Sequence, residues 1–242
     1  MNLVLDMGNT LTKAGLFEKG TIRQTFSVKD KEELQQIVQE NTFDAMLVSS
    51  VVDVPAWLKS LTDRNAQYML LDASTPLPFT NLYLTAQTLG TDRLAAVAGA
   101  MKLFPGKCAL AIDAGSCITY DMLDDQQCYH GGAISPGVQM RCRAMHTFTA
   151  RLPLVHIKPE QSDDISLLGN HTVGALQSGA YYGTLAEITQ MIRMYEDKFA
   201  DLQVVICGGD AALLGKGLKV AHQIAPELLL IGLNAILDYN VK

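Results

Sequence analysis

Leu3-Val4-Leu5-Asp6-Met7-Gly8-Asn9-Thr10 stands at the start of a 242-residue chain: an apolar strand runs into an acid, a glycine and two small polar residues. Strand-like character resumes at Lys13-Ala14-Gly15-Leu16-Phe17, so the pattern predicts a tight hairpin turning at Gly8-Asn9. Gly8 lets the backbone come close to an anion, and turn N–H groups with the hydroxyl of Thr10 or Thr12 can bond phosphate oxygens. Asp6 at the strand end can hold a phosphate-bound cation or its water. Asp, Gly and Asn also populate most hairpin turns for conformational reasons alone, so this stretch by itself does not decide between an ordinary turn and a phosphate site.

Ala111-Ile112-Asp113-Ala114-Gly115-Ser116-Cys117-Ile118-Thr119 repeats the pattern, with Thr119 at the same offset from Asp113 that Thr12 has from Asp6. Two phosphate-type hairpins in successive halves indicate a duplicated unit closing on one nucleotide. The pair resembles the two ATP-phosphate loops of the acetate and sugar kinase, Hsp70 and actin superfamily. That resemblance implies an α/β, duplicated actin-like (ribonuclease H-like) fold with an ATP cleft between two subdomains, here expected at residues 1–105 and 106–242.

At 48% hydrophobic and 18% charged, with no low-complexity tract, the chain can bury one or two cores, and two small subdomains are expected rather than one large one. A net charge of -6 argues against a nucleic-acid partner, which needs a basic face, so an anionic substrate must be met by local donors. There is no apolar run of membrane-spanning length, and Met1-Asn2 leads into a strand without a basic leader; the expectation is a cytoplasmic protein with no membrane contact. Five cysteines, an odd number without CxxC spacing, read as reduced, mostly buried thiols. The five histidines include no i,i+4 pair, which argues against a zinc site. Neither GxxxxGK[ST] nor GxSxG occurs, which excludes a P-loop kinase and the nucleophile-elbow hydrolases.

In order, residues 2–7, 11–17 and 21–28 read as strands, Asp30 as the cap of a helix to about Glu40, and 45–49 as a buried strand. Pro55 falls in the first turn of a helix through Asp63 and 67–71 form the next strand, an order βββαβαβ typical of an α/β half-domain. Residues 72–81, with Pro76 and Pro78, read as a surface connection. An alanine-rich helix spans 91–103, with Thr91 as a plausible cap and Asp92 suited to the helix dipole. Beyond the second hairpin, strands at 120–123 and 127–134 flank an Asp124-Asp125 turn, and a helix spans about Val138 to Phe148. Residues 149–171 read as irregular, and a long helix from Thr172 to about Phe199 is expected to break or kink near Gly179 to Gly183. A strand at 202–207 ends in Gly208-Gly209-Asp210, and a helix from Pro226 to about Tyr239 closes the chain.

Between the two hairpins stands Asn81-Leu82-Tyr83, then Leu89-Gly90-Thr91-Asp92-Arg93; after the second comes Gly131-Gly132-Ala133-Ile134-Ser135-Pro136-Gly137, and later Gly169-Asn170-His171-Thr172. A Tyr followed by Leu-Gly-x-Asp-Arg between two such loops, then Gly-Gly-x-Ile-x-Pro-Gly, resembles the type III pantothenate kinases. The ordered set of motifs is far more specific than any one of them, and the similarity covers nearly the whole chain. Two departures are visible: Ser116-Cys117 stands where that family usually shows Thr-Ala, though Ser116 keeps the hydroxyl, and Thr85-Ala86-Gln87 lacks the proline common before Leu-Gly.

The resemblance implies an ATP- and Mg²⁺-dependent kinase that converts pantothenate to 4'-phosphopantothenate, the first step of coenzyme A biosynthesis. It implies that Asp92 is the general base, and that Tyr83, Gly90, Thr91, Asp92, Arg93 and Thr172 line the pantothenate pocket. Asp6, Met7, Gly8, Asn9, Thr10, Leu11, Thr12, Lys13 and Ser116 are the expected nucleotide contacts, with Asp6 holding Mg²⁺ directly or through water. Asp113 is expected to bind potassium or ammonium, Gly208-Gly209 to pack the adenosine, and the enzyme to be a homodimer that completes the pocket across its interface. A polyphosphate or guanosine-pentaphosphate phosphatase of the same superfamily would need a base aimed at water and no Tyr-to-Arg pocket. A non-catalytic ATP-binding regulator would typically have lost Asp92 or one loop acid, and all three acids are present.

Overall fold

A computed structural model describes residues 1–8, 11–59 and 66–241. The chain divides into two compact units: Met1–Pro105 with Gln126–His130 and Glu227–Lys242, and Gly106–Asp125 with Gly131–Pro226.

The first unit opens with β1 (Asn2–Met7), β2 (Thr12–Glu18) and β3 (Thr21–Val28), followed by α1 (Lys31–Glu40), β4 (Ala45–Ser50), α2 (Ala56–Lys59) and β5 (Gln67–Leu70). They form one sheet in the order β3-β2-β1-β4-β5, antiparallel through β1–β3 and parallel where β4 and β5 join. Leu3, Val4 and Leu5 are all fully buried, as a central strand covered on both faces must be, which explains the unbroken apolar run in the sequence. Asp30 caps α1 as expected, its carboxylate accepting the Glu33 N–H at 2.8 Å. The expected helix through Asp63 is described only over Ala56–Lys59, and the rest of it lies outside the described residues. Within the 72–81 connection a two-residue strand, β6 (Thr80–Asn81), pairs in parallel with residues 128–129. Then comes α3 (Thr91–Leu103).

The second unit contains β7 (Ala109–Ala114), β8 (Cys117–Leu123), the end of β9 (Cys128–Pro136), α4 (Val138–Thr147), α5 (Thr172–Glu196), β10 (Gln203–Cys207), α6 (Ala211–Gly217) and β11 (Gln223–Ile224). Its strands follow the order β11-β10-β7-β8-β9, the mirror listing of the first unit's order and so the same topology built twice. Helices α4, α5 and α6 cover one face of this sheet, with Leu110, Ile112, Ile118, Met122, Val138, Ile188, Val204, Ile206 and Leu213 in a common core. The expected break at Gly179 to Gly183 does not occur: α5 is continuous, because Ala180, Tyr181, Thr184 and Leu185 are buried on the sheet and packing outweighs the weak helix propensity of two glycines.

The closing helix, α7 (Leu228–Asn240), groups with the first unit, so a single cut at 105/106 does not describe the division. It packs on α3 and β1. Asn2 Nδ2 donates to Asn234 Oδ1 (2.9 Å) and to Asp238 Oδ1 (2.7 Å), tying the first strand to the last helix. The α3–α7 crossing is close enough that a Cβ on Gly232 would collide with the Ala95 carbonyl oxygen, and one on Gly99 with that of Leu228. No helix among the described residues is long and apolar enough to cross a membrane.

Candidate active site

In the first unit the β1–β2 hairpin turns with the Gly8 N–H donating to the Leu11 carbonyl at 3.2 Å. Asn9 and Thr10, two of the expected phosphate contacts, lie outside the described residues. Antiparallel pairing sets Met7 opposite Thr12 and Asp6 opposite Lys13, so the acid and the ammonium share a face. On the other side of β1, Asp6 has Ser49 of β4 as its parallel neighbour. Ser49 is buried, and its Oγ is 3.0 Å from Thr91 Oγ1 at the start of α3. A chain of contacts thus brings Asp92 to the strand end that carries Asp6. Burial and then the negative charge of Asp92 push the Asp6 carboxyl up to about 6, against an opposing pull from Lys13.

The cap of α3 is Gly90 and not Thr91; its carbonyl accepts the Arg93 N–H at 3.2 Å, while the Thr91 hydroxyl is directed to Ser49. A side chain at position 90 would run into Asp92 Oδ1, which accepts the Arg93 N–H at 2.9 Å. Glycine there leaves room for the carboxylate.

Arg93 is buried to 6% exposure, with its guanidinium carbon 5.5 Å from the centre of the Tyr83 ring. Tyr83 in turn stacks on Tyr129 (6.2 Å, 11°), and Phe79 meets Tyr129 edge-on (6.1 Å, 74°). The backbone sets this ladder: β6 pairs with the start of β9, the Leu82 N–H donates to the Tyr129 carbonyl, and the Tyr83 N–H donates to Asn81 Oδ1. Tyr83, Gly90, Thr91, Asp92 and Arg93 are therefore local neighbours. Tyr129 and Ser49, which hold two of them, carried no motif that could have singled them out.

The β7–β8 hairpin of the second unit is tighter than the first. Asp113 pairs with Thr119 and Ala114 with Ile118, and the Gly115 N–H donates to the Cys117 carbonyl at 2.9 Å. Equal sequence offsets thus fall at unequal registers: Thr12 faces Met7, whereas Thr119 faces Asp113 itself. The Gly137 N–H donates to the Ser116 carbonyl at 3.1 Å, which lays the Ser-Pro-Gly run of the fourth motif on the hairpin, and a Cβ at 137 would strike the Gly115 and Ser116 carbonyls. Gly208 has φ +92, and a Cβ there would strike Asp113 Oδ1 and the Ala114 carbonyl. The Gly-Gly turn therefore abuts the acid of this hairpin. The Asp210 N–H donates to the Ala114 carbonyl at 2.8 Å, and burial pushes the Asp210 carboxyl up. Thr172 is exposed in the first turn of α5; the cap is His171, whose Nδ1 accepts the Gly174 N–H at 3.1 Å.

A type III pantothenate kinase family model matches residues 2–194. The chain is 40% identical, over 99% of each chain, to the type III pantothenate kinase of Christiangramia forsetii. Among solved structures it is similar to a conserved protein of Campylobacter jejuni described as a Baf family transcriptional activator (TM-score 0.62, 21% identity, 98% of each chain). It is also similar to a Listeria monocytogenes protein described as an N-acetylmannosamine kinase (TM-score 0.57, 14% identity, 98% and 99% of the two chains). These similarities in structure identify the duplicated topology as the two-subdomain actin-like fold of sugar kinases. Four motifs in order, two matching half-domains, and full-length identity to a curated relative together show that the chain belongs to the type III pantothenate kinase family.

Proposed function

We propose that this protein is a cytoplasmic, homodimeric kinase that transfers the γ-phosphoryl group of ATP to the primary hydroxyl of pantothenate. The observation that carries the proposal is the coupling of Asp92 to Asp6: a carboxylate suited to accept a hydroxyl proton stands within electrostatic reach of the acid of a phosphate-type hairpin. In this mechanism Asp92 accepts the proton as the hydroxyl attacks in line, and Lys13 of the first hairpin meets the charge spread over the transferring group. Arg93, oriented by Tyr83, meets the pantothenate carboxylate. Gly90 and Thr91 belong to the same acceptor pocket; Thr172 is a further proposed acceptor contact, and Ser116 a proposed nucleotide contact.

A carboxyl pushed up first by burial and then by the charge of Asp92 fits a site that a divalent cation relieves. Asp6 would hold Mg²⁺, directly or through water, and the ion supplies neutralisation of phosphate charge. Asp113, the acid of the second phosphate-type hairpin, is the residue that would hold a monovalent cation. The dimer is supported by large apolar side chains left on the surface beside Tyr83 (Leu82, Leu84) and, in the second unit, beside Thr172 (Leu167, Leu168, Val173).

The test is to incubate the protein with MgATP and pantothenate, with and without potassium, following ADP release and the mass of the acceptor. The expected result is pantothenate-dependent ADP formation with an added phosphoryl group on the acceptor. ATP hydrolysis without acceptor phosphorylation would overturn the proposal.

A further inference from the structure

Glu187 sits near the middle of α5 and belongs to none of the motifs named above. Its carboxylate gathers three donors from three elements of the second unit. Tyr120 Oη of β8 donates to Oε1 at 3.0 Å, the Ser135 hydroxyl at the end of β9 donates to the same oxygen, and Arg141 of α4 pairs with Oε2. Arg141 also donates from Nε to the Pro136 carbonyl at 2.9 Å. The tyrosine is fully buried, while the acid and the guanidinium are each about one-quarter exposed.

The connections of these donors give the cluster its meaning. Tyr120 directly follows Thr119, the cross-strand partner of Asp113. Ser135 and Pro136 directly precede Gly137, whose N–H holds the Ser116 carbonyl and whose lack of a side chain lets it lie on Gly115 and Ser116. The β8 arm of the Asp113–Thr119 hairpin and its Gly115–Ser116 turn are thereby tied to one carboxylate. Burial would push Glu187 up, but the hydrogen bonds from Ser135 and Arg141 and the charge of Arg141 hold it below its ordinary value, so it stays ionised throughout the neutral range. The same negative charge, after burial, pushes the Tyr120 phenol well up, which keeps it a donor.

We infer that Glu187 is a positioning residue for phosphoryl transfer: it clamps the Ser135-Pro136-Gly137 segment and β8 so that the Gly115–Ser116 turn is held in place for the nucleotide phosphates. The inference rests on the proposed role of that hairpin in holding ATP. A clamp of this kind acts on nucleotide affinity and orientation and leaves acceptor binding alone, because none of its members belongs to the Tyr83-to-Arg93 pocket.

The full-length enzyme is compared with Glu187→Gln, which keeps an acceptor oxygen but removes the charge, and with Ser135→Ala, which removes one hydroxyl and disturbs packing least. Steady-state kinetics are measured against ATP and against pantothenate separately, and ATP binding is measured by calorimetry without pantothenate. For Glu187→Gln the KM for ATP should rise about tenfold, with a parallel loss of ATP affinity, while the KM for pantothenate stays within about twofold; Ser135→Ala should show the same split at about threefold. Unchanged ATP affinity in both variants, or equal changes in the two KM values, overturns the inference. If Glu187→Gln does not fold, the ATP and pantothenate KM values of Ser135→Ala alone decide between these outcomes. Failure of the parent proposal looks different: there the wild-type protein itself would not phosphorylate pantothenate.

Discussion

The Ser49 and Thr91 hydroxyls lie 3.0 Å apart, joining the end of β4 to the first turn of α3. Ser49 is also the parallel neighbour of Asp6, so this hydrogen bond links the strand end beside the acid of the first hairpin to the helix start that carries Asp92. A hydroxyl pair is well suited to that position. It is neutral, it is satisfied when buried, and it fixes two negative side chains near each other without adding a third charge.

Asp92→Asn should abolish turnover while leaving ATP binding nearly intact, because loss of a general base costs about 10²–10⁴ in rate and the nucleotide hairpin is untouched. Single-turnover kinetics paired with ATP calorimetry measure the two effects separately. Wild-type rates in the variant would reduce Asp92 to a residue that suits the helix start, and lost ATP binding would assign it a structural role.

Asp6→Asn should stabilise the protein at neutral pH in the absence of Mg²⁺. The Asp6 carboxyl is raised from 3.8 to about 6, so its favourable contribution is fully present below pH 3.8 and is lost as pH rises through 6. Above that the ionised acid costs about 3 kcal/mol, since moving a pKa by one corresponds to about 1.4 kcal/mol. Denaturant midpoints across pH 4 to 8 should coincide for the two proteins at the acid end and diverge in favour of Asn above pH 6. MgATP should then stabilise the wild type more than the variant, and a difference independent of pH would refute the assignment.

Activity should require a monovalent cation, and Asp113→Ala should remove both that requirement and most of the activity. The proposed place of Asp113 beside the nucleotide phosphates calls for added positive charge there, since concentrated negative charge away from bulk water is costly. Rates in sodium, potassium and ammonium salts at equal ionic strength provide the check; identical values would remove the cation from Asp113.

An acceptor that keeps the hydroxyl but lacks the carboxylate should lose far more catalytic efficiency than one altered at the distal methyls. The carboxylate's partner would be left in a desolvated site, a loss of about 2–5 kcal/mol against about 1 for a methyl. Tyr83→Ala should reproduce part of this loss by releasing Arg93 from the ring it lies over, at about 0.5–2 kcal/mol, whereas Tyr83→Phe should retain most of the activity. A ratio of efficiencies near one for the two acceptor analogues would return a neutral polyol to consideration as substrate.

Gly232→Ala should destabilise the first unit by at least about 2 kcal/mol, because the added methyl meets the Ala95 carbonyl across a helix crossing that cannot open locally. Gly20→Ala is a useful contrast: nothing lies within 4 Å of the added carbon, so its cost comes only from the φ of +76. Urea midpoints of the two variants measure the difference.

Much of this protein is written in contiguous stretches. The apolar run Leu3–Leu5, the acid-glycine turns after β1 and β7, the Asp30 cap and the alanine-rich start at Thr91 arise from steric and hydrogen-bonding preferences acting over a few residues, and from them the two matching half-domains could be read. Ordered along the chain, the same stretches carried the family and the candidate residues. They could not carry anything that depends on pairing across long separations. Equal offsets of Thr12 and Thr119 looked equivalent, but β1–β2 closes one residue later than β7–β8, and only strand register decides which residue faces the acid. The placement of α7 with the first unit depends on two glycines more than a hundred residues apart fitting against opposite backbones, and the continuity of α5 depends on burial that overrides its glycines. Ser49, Tyr129 and Glu187 are ordinary residues in their local sequence. They matter because packing sets a hydroxyl beside Asp6, a ring under Tyr83 and a carboxylate among three donors, and such contacts exist only once the chain has folded.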